Sequence, residues 1–219
     1  MSDLGGKKFM VEDPAGVDCM AEDVDLSLKN VCCEEREVKF QQKGTVLWMT
    51  GLSGAGKTTL ANRLERRLFD QNKLVYVLDG DKIRQGLSSD LGFSNEDRFE
   101  NIRRIGEVAR LFADSGLIVL VAFISPFRKD RDSVRLAMAP GKFVEIFVDS
   151  PVGVCEKRDV KGLYKKARAG IIEDFTGISS PYEPPLFPEI HLRTDKQTID
   201  VCVNTVIDYL KCELLLHKL

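Results

Sequence analysis

The octapeptide "GLSGAGKT", Gly51 to Thr58, fits the pattern G-x-x-x-x-G-K-[ST]. Before it stands a short apolar run, "TVLWMT" (45–50), bounded by glycines. After it comes "KTTLANRLERRLFDQN", in which Leu60, Leu64 and Leu68 recur every four residues. The first run predicts a buried strand and the second a helix with one apolar face. Strand, glycine-rich turn and helix in that order form the context this motif requires. Glycines let backbone N–H groups curl around phosphate oxygens, and the helix N-terminus adds a favourable partial charge. Lys57 can reach the β and γ phosphates, and the Thr58 hydroxyl can ligate magnesium. A nucleoside triphosphate site follows, but not the identity of what receives the phosphate.

The same alternation continues along the chain. "LVYVLDGD" (74–81), "LIVLVAFI" (117–124), "KFVEIFVDS" (142–150) and "EIHLRT" (189–194) read as four further strands. Between them, "SNEDRFENIRRIGEVARLFADSG" opens with Ser94 and Asp97 in capping-box spacing and carries Ile102, Ile105, Ala109 and Phe112 on one stripe. The last segment repeats Ile199, Val203, Val206, Leu210 and Leu214 at helical spacing. Strands alternating with helices predict an α/β fold: a five-stranded parallel sheet with helices on both faces, the P-loop NTPase arrangement. Residues 1–43 lack a sustained period and read as a partly flexible N-terminal arm, leaving 44–219 as the catalytic domain.

Composition narrows the partners. A formal charge of −2 gives no electrostatic basis for binding nucleic acid or a membrane surface. No apolar run approaches the ~20 residues of a membrane helix, and the acidic N-terminus is neither a signal nor a transit peptide, so a cytoplasmic protein is expected. The six cysteines contain no CxxC, and the two histidines, His191 and His217, lie far along the chain. Reduced structural thiols are the expectation, not a metal site.

Three stretches bear on the acceptor. Asp79 and Asp81 end the second strand, where ligands gather in open parallel sheets. Read as extended chain, they share a face, so that one helps hold magnesium and the other accepts a hydroxyl proton. Arg84, Arg98 and Asn101 follow, suited either to an anionic acceptor or to a solvated charged face. The third strand stops at Ser125-Pro126, ahead of Arg128, Lys129, Arg131 and Arg135, cations expected to divide between phosphate contacts and surface. The basic, then Gly- and Pro-punctuated stretch 155–185 reads as a lid that excludes water, with an ordinary surface helix and loop as the alternative.

Together these stretches resemble one family, the adenylyl-sulfate kinases, also called APS kinases. The resemblance is carried by "GLSGAGKTTL", "LDGD" with "IRQGL", "DLGFS", "ENIRRIGEVA", "FISPFR", "IFVDSP", "RDVKGLYKKARAG" and "FTGI" with "SPYEPP", from about Gly44 to Tyr209. It implies transfer of the ATP γ-phosphate to the 3′-hydroxyl of adenosine 5′-phosphosulfate (APS), giving PAPS in sulfate activation, with magnesium. By matching motif it implies an ATP site at Gly54, Ala55, Gly56, Lys57, Thr58 and Thr59, with Arg158 stacked on the adenine. The implied APS site comprises Asp81, Arg84, Phe93, Arg98, Asn101, Ile124, Ser125, Lys161 and Phe175. In it, Phe93 and Phe175 sandwich the acceptor adenine, the two arginines and Asn101 hold the phosphosulfate, and Lys161 neutralises charge in transfer. Thr58 and Asp79 are the expected magnesium ligands, and Lys57, Asp81, Ser125 and Lys161 the catalytic set.

Ser125 matches the family's phosphoserine position. No histidine stands in the motif to activate it, so direct in-line transfer with Asp81 as base is the preferred reading. The resemblance also implies a homodimer. Family members occur fused to an ATP sulfurylase domain, which this chain is too short to contain, so fusion or partnership stays open. Two departures stand out: Lys82 replaces the usual asparagine, and Asp174 replaces a glycine of the lid. Both are expected to alter APS affinity. Another small-molecule kinase on the same fold, or an idle nucleotide-binding module, are the rival readings.

Overall fold

All six residues of "TVLWMT" are buried, and they form β1 (Thr45–Thr50) at the middle of a sheet. This computed structural model describes residues 30–159 and 161–213. The other strands are β2 (Val75–Asp79), β3 (Ile118–Ala122), β4 (Phe143–Asp149) and β5 (Ile190–Arg193). All pair in parallel, in the order β2-β3-β1-β4-β5. The chain leaves β1 towards β2 on one side, while β4 pairs on the other. The carboxyl end of β1 is therefore the switch point where doubly wound sheets bind ligands.

Alternate residues of β1 feed two cores, as a period of two dictates. Leu47 and Met49 pack with Leu60, Leu64 and Leu68 of α2 (Lys57–Phe69) and with Val203, Val206 and Leu210 of α8 (Ile199–Glu213). Val46 and Trp48 pack with Ile102 and Ile105 of α4 (Asn95–Asp114) and Val134 of α5 (Arg128–Leu136). Each fully buried leucine of α2 contributes roughly 1.5–3 kcal/mol. The Ser94 hydroxyl caps α4 by accepting from the Asp97 N–H at 3.1 Å, where the sequence pattern sets the helix start.

Two boundaries differ from the sequence reading. The compact unit that holds the sheet begins at Cys32, ahead of Gly44, and includes helix α1 (Cys33–Phe40). Residues 1–29 of the expected arm lie outside the described residues. Helix α1 buries no side chain, so no apolar period announces it. Polar bonds hold its surroundings instead. Glu37 accepts from Lys142 Nζ at 3.0 Å and from the Gly44 N–H at 3.1 Å. The Gln42 amide donates to Leu74 and Gly116 carbonyls at 2.9 and 2.7 Å and accepts from the Leu74 N–H at 2.8 Å.

The second strand also ends early. Gly80–Arg84 is a short helix, α3, so Asp79 and Asp81 do not share a strand face. Asp79 is the N-cap of α3, and its Oδ1 accepts from the Asp81 N–H at 3.0 Å. An Asp-Gly-Asp sequence is as good a helix opening as a strand end, and the cap won.

A Cβ on Gly44 would sit 1.8 Å from the Ala113 carbonyl oxygen, backbone that cannot swing away. Gly44→Ala is expected to lose about 3 kcal/mol of stability. Urea unfolding checks this, with a lower midpoint at unchanged slope as the outcome.

Candidate active site

The loop between β1 and α2 is shaped by what it passes. Gly51 has φ +152°, and a Cβ there would lie 2.3 Å from the Val148 carbonyl oxygen of β4. Gly54 has φ +76°, with Cys155 O 2.9 Å from its virtual Cβ. Larger residues would push the loop out of register with the helix that follows. Lys57 is buried and donates to the Gly51 and Leu52 carbonyls, both at 2.8 Å. Burial pulls its amine down to about 8, and the Lys161 charge adds to the effect against nearby anionic groups. It still carries its proton at neutral pH.

Thr58 Oγ1 donates to Asp79 Oδ2 at 2.8 Å, so the hydroxyl opening α2 and the carboxylate ending β2 meet beside the phosphate loop. Two hard oxygens of this kind suit magnesium, which takes few protein ligands and completes its shell with phosphate and water. Among the described residues no group of three or more His, Cys, Asp or Glu offers a fuller cage.

On the acceptor side, Asp81 of α3 forms an ion pair with Lys161 of the lid, both more than half exposed. Arg84 lies over the Phe93 ring at 4.4 Å and donates to the Gly92 carbonyl at 2.9 Å. Phe93 is 63% exposed, an unusual position for a core phenyl ring. Arg98 is buried, and its guanidinium is spent on the protein itself. It donates to Phe93 O at 2.9 Å, to Thr176 Oγ1 at 2.7 Å and to Asp174 O. One guanidinium thus ties together the backbone beside Phe93 and that beside Phe175. Asn101 is buried as well, and its Oδ1 has no protein donor. The solvated-face alternative fails for both Arg98 and Asn101.

Ser125 is 2% exposed, and its Oγ accepts from the Trp48 indole N–H at 3.1 Å. Its backbone is left-handed, φ +40°, and its carbonyl accepts from Arg131 at 2.6 Å. The preceding Ile124 carbonyl accepts from Thr50 Oγ1 at 2.7 Å. None of the four cations after Ser125 is devoted to open surface in the way expected, except Lys129. Arg128 donates to Pro184 O, Arg131 is buried against Glu145, and Arg135 pairs with Glu189.

The lid segment comprises α6 (Val152–Arg158), α7 (Leu163–Arg168) and irregular chain to Pro185. It is rooted in the core rather than merely polar: Cys155, Tyr164 and Phe175 are buried, and the last two rings meet edge to face at 5.0 Å. Tyr164 donates its hydroxyl to Ser53 O of the phosphate loop at 2.9 Å. Arg158 reaches Gly54 O at 3.2 Å and Thr194 O at 2.6 Å, so it stands at the rim of the loop. Phe93 and Phe175 thus differ in setting, one open and one buried.

Sequence reasoning missed Tyr164 and Thr194, and it divided Arg131 and its neighbours between phosphate and surface when Arg131 is buried against Glu145. A signal for Arg131 was present: Glu145 interrupts the apolar strand "KFVEIFVDS", and a carboxylate in a buried strand demands a partner.

Comparison with known proteins shows the family. The family model for adenylylsulphate kinase matches residues 43–193. An adenylyl-sulfate kinase from Clostridium acetobutylicum is 56% identical over 178 residues, covering 81% of this chain and 88% of that protein. One from Saccharomyces cerevisiae is 54% identical over 191 residues, covering 86% and 95%. The solved structure of the Mycobacterium tuberculosis APS kinase CysC, in complex with AMPPNP and APS, superposes with a TM-score of 0.74 at 47% identity, covering 78% of this chain and 99% of that one. With a phosphate loop, a paired Thr58 and Asp79 and this degree of likeness over most of its length, the chain belongs to the adenylyl-sulfate kinase family, ATP-dependent phosphotransferases that make PAPS.

Proposed function

We propose that this chain carries the γ-phosphate of ATP to the 3′-hydroxyl of APS in one in-line step, without a phosphoserine. The 3′-oxygen attacks the γ-phosphorus, the bond to the β–γ bridging oxygen breaks, and ADP leaves. The hydroxyl proton passes to Asp81. The observation that carries this reading is the contrast between two side chains. Asp81 is exposed at the mouth of the loop beside Lys161, whereas the Ser125 oxygen is buried on Trp48 with no base among its hydrogen-bond partners.

Each further role has its support. Lys57 and the loop N–H groups of Gly54 to Thr59 grip the triphosphate, and Arg158 at the loop rim faces the donor nucleotide. Magnesium, when bound by Thr58 and Asp79, offsets charge on the β and γ phosphate oxygens. Lys161 reaches Asp81 from the lid, so closing the lid brings a cation to the transferring group. Phe93 and Phe175 take the acceptor adenine, their spacing set by Arg98, and stacking is worth ~1–3 kcal/mol per base. Arg84 lies close enough to Phe93 to meet the acceptor's anionic end, and Asn101 Oδ1 is free to accept from the ligand. Ile124 and Ser125 form the floor. We read the working enzyme as a cytosolic homodimer. The compartment is supported by five free cysteines among the described residues, and by the fact that none of the helices there is long and apolar enough to cross a membrane. The dimer rests on the family resemblance alone.

Three outcomes test these assignments. Asp81→Asn should lower kcat ~10²–10⁴-fold, the range of a lost general base, while Ser125→Ala loses less than about tenfold. Formation of labelled phosphoserine at Ser125 during turnover would overturn direct transfer. Asp79→Asn should raise the magnesium concentration at half-maximal rate by about tenfold or more, read by titrating the metal at saturating ATP. Asp174 has φ +51°, and its carbonyl accepts from Arg98, so Asp174→Gly relaxes a left-handed residue at the lid's tie to Phe93. Combined with Lys82→Asn it should change the APS KM several-fold while leaving the ATP KM alone, in initial-rate assays that identify PAPS as product.

A further inference from the structure

Arg131 and Glu145 form a buried pair that the phosphate chemistry does not touch. Their side chains are 1% and 8% exposed, and Arg131 Nε meets Glu145 Oε1 at 2.6 Å. A buried ion pair is a weak source of stability, because desolvation cancels much of the attraction. The other donors of the same guanidinium show what the pair is aimed at. One donates to Ser125 O at 2.6 Å and another to Glu183 O at 2.8 Å. The planar fork of an arginine can hold three acceptors in fixed relation, which a lysine cannot.

Those two carbonyls belong to the segments that bound the acceptor side. Ser125 ends the floor, in a left-handed conformation that persists in a non-glycine residue only when its surroundings over-determine it. Glu183 lies where the lid segment rejoins the body. The two segments are laced together around Arg131. The Glu183 N–H donates to Pro126 O at 2.9 Å, and the Glu183 carboxylate accepts from the Arg128 N–H at 2.8 Å. Next to it, Tyr182 hydrogen-bonds Thr50 Oγ1 at 3.0 Å, and that hydroxyl donates to Ile124 O. By contrast, the loop that grips ATP has its own struts, Tyr164, Arg158 and Thr194, with no bond to Arg131.

We infer that Arg131, held by Glu145, is a positioning residue for the acceptor nucleotide: it fixes the Ile124–Ser125 floor to the returning end of the lid. This rests on the reading of Ile124, Ser125, Phe93 and Phe175 as the APS site. Loss of the fork lets floor and lid drift apart, so APS binding and the approach of its hydroxyl suffer while ATP binding does not.

Two Arg131 variants and one independent control test it. Arg131→Lys keeps a charge opposite Glu145 but cannot reach both carbonyls. Arg131→Met with Glu145→Leu removes both buried charges together and puts apolar groups of similar size in their place, while the Ser125 and Glu183 carbonyls lose this donor. In both, the APS KM should rise about tenfold or more and kcat fall, with the ATP KM within about twofold of the parent. Both variants should show this in assays run well below their own thermal midpoints, where the protein is folded and the parental ATP KM reports an intact donor site, a combination that a merely structural role does not produce. An APS KM that stays at the parental value in whichever variant folds, or that recovers together with the thermal midpoint, overturns the positioning role. Phe93→Ala, which shares none of the Arg131 hydrogen bonds, reads the acceptor site separately. An unchanged APS KM in Phe93→Ala would overturn the site assignment itself, whereas an unchanged APS KM confined to the Arg131 variants overturns the inference alone.

Discussion

The close pass of the phosphate loop over β4 sets the terms for everything around it. With the Val148 carbonyl 2.3 Å from where a Gly51 Cβ would be, the chain can turn out of β1 there only as glycine. That turn delivers Lys57 and Thr58 to the first turn of α2, and the parallel register delivers Asp79 at the end of β2 to meet Thr58. β2 does not pair with β1; β3 lies between them. The contact between Thr58 and Asp79 therefore depends on β3 keeping its place between the two strands, and the pair is a long-range product of the fold.

The acceptor side obeys a different economy. Its arginines are largely occupied by the protein: Arg98 by three acceptors in the chain, Arg84 by the 91–92 carbonyls, Arg131 by Ser125, Glu145 and Glu183. These cations act first as struts. A guanidinium that bridges two backbone segments fixes their spacing, and spacing is what a stacked adenine needs. Exposed Phe93 and embedded Phe175 make sense in that light. Under the proposed reading, the open ring would close over a base, and the other, backed edge to face by Tyr164, would be its wall.

The amount legible in the sequence follows from the range of each interaction. All five strands, and the helices at 57–69, 95–114 and 199–213, announce themselves through local period and caps, and the structure bears them out. The phosphate loop is local too. Helix α1 leaves no trace in the hydrophobic pattern because polar bonds attach it: Glu37 to the Lys142 amine and the Gly44 N–H, and Gln42 to the distant Leu74 and Gly116 backbone. A strand period extended through Asp79 fails because that residue caps a helix. Phe93 and Phe175 enter only through family resemblance, since nothing local separates them from core rings, and nothing local decides between ligand and surface for Arg98.

Glu145 shows how one more such residue is recovered from sequence. A strand destined for burial on both faces has no reason to carry a carboxylate unless a cation is paid out against it, and the free energy of that pair is close to neutral when balanced against leucine. What survives the balance is direction. A guanidinium pinned by Glu145 cannot rotate, so its remaining N–H groups point at fixed places, and here they point at Ser125 O and Glu183 O. The charge in the core is thus a clamp on the polar loops above it. In this chain the use of the Arg131–Glu145 pair lies in geometry rather than in stability.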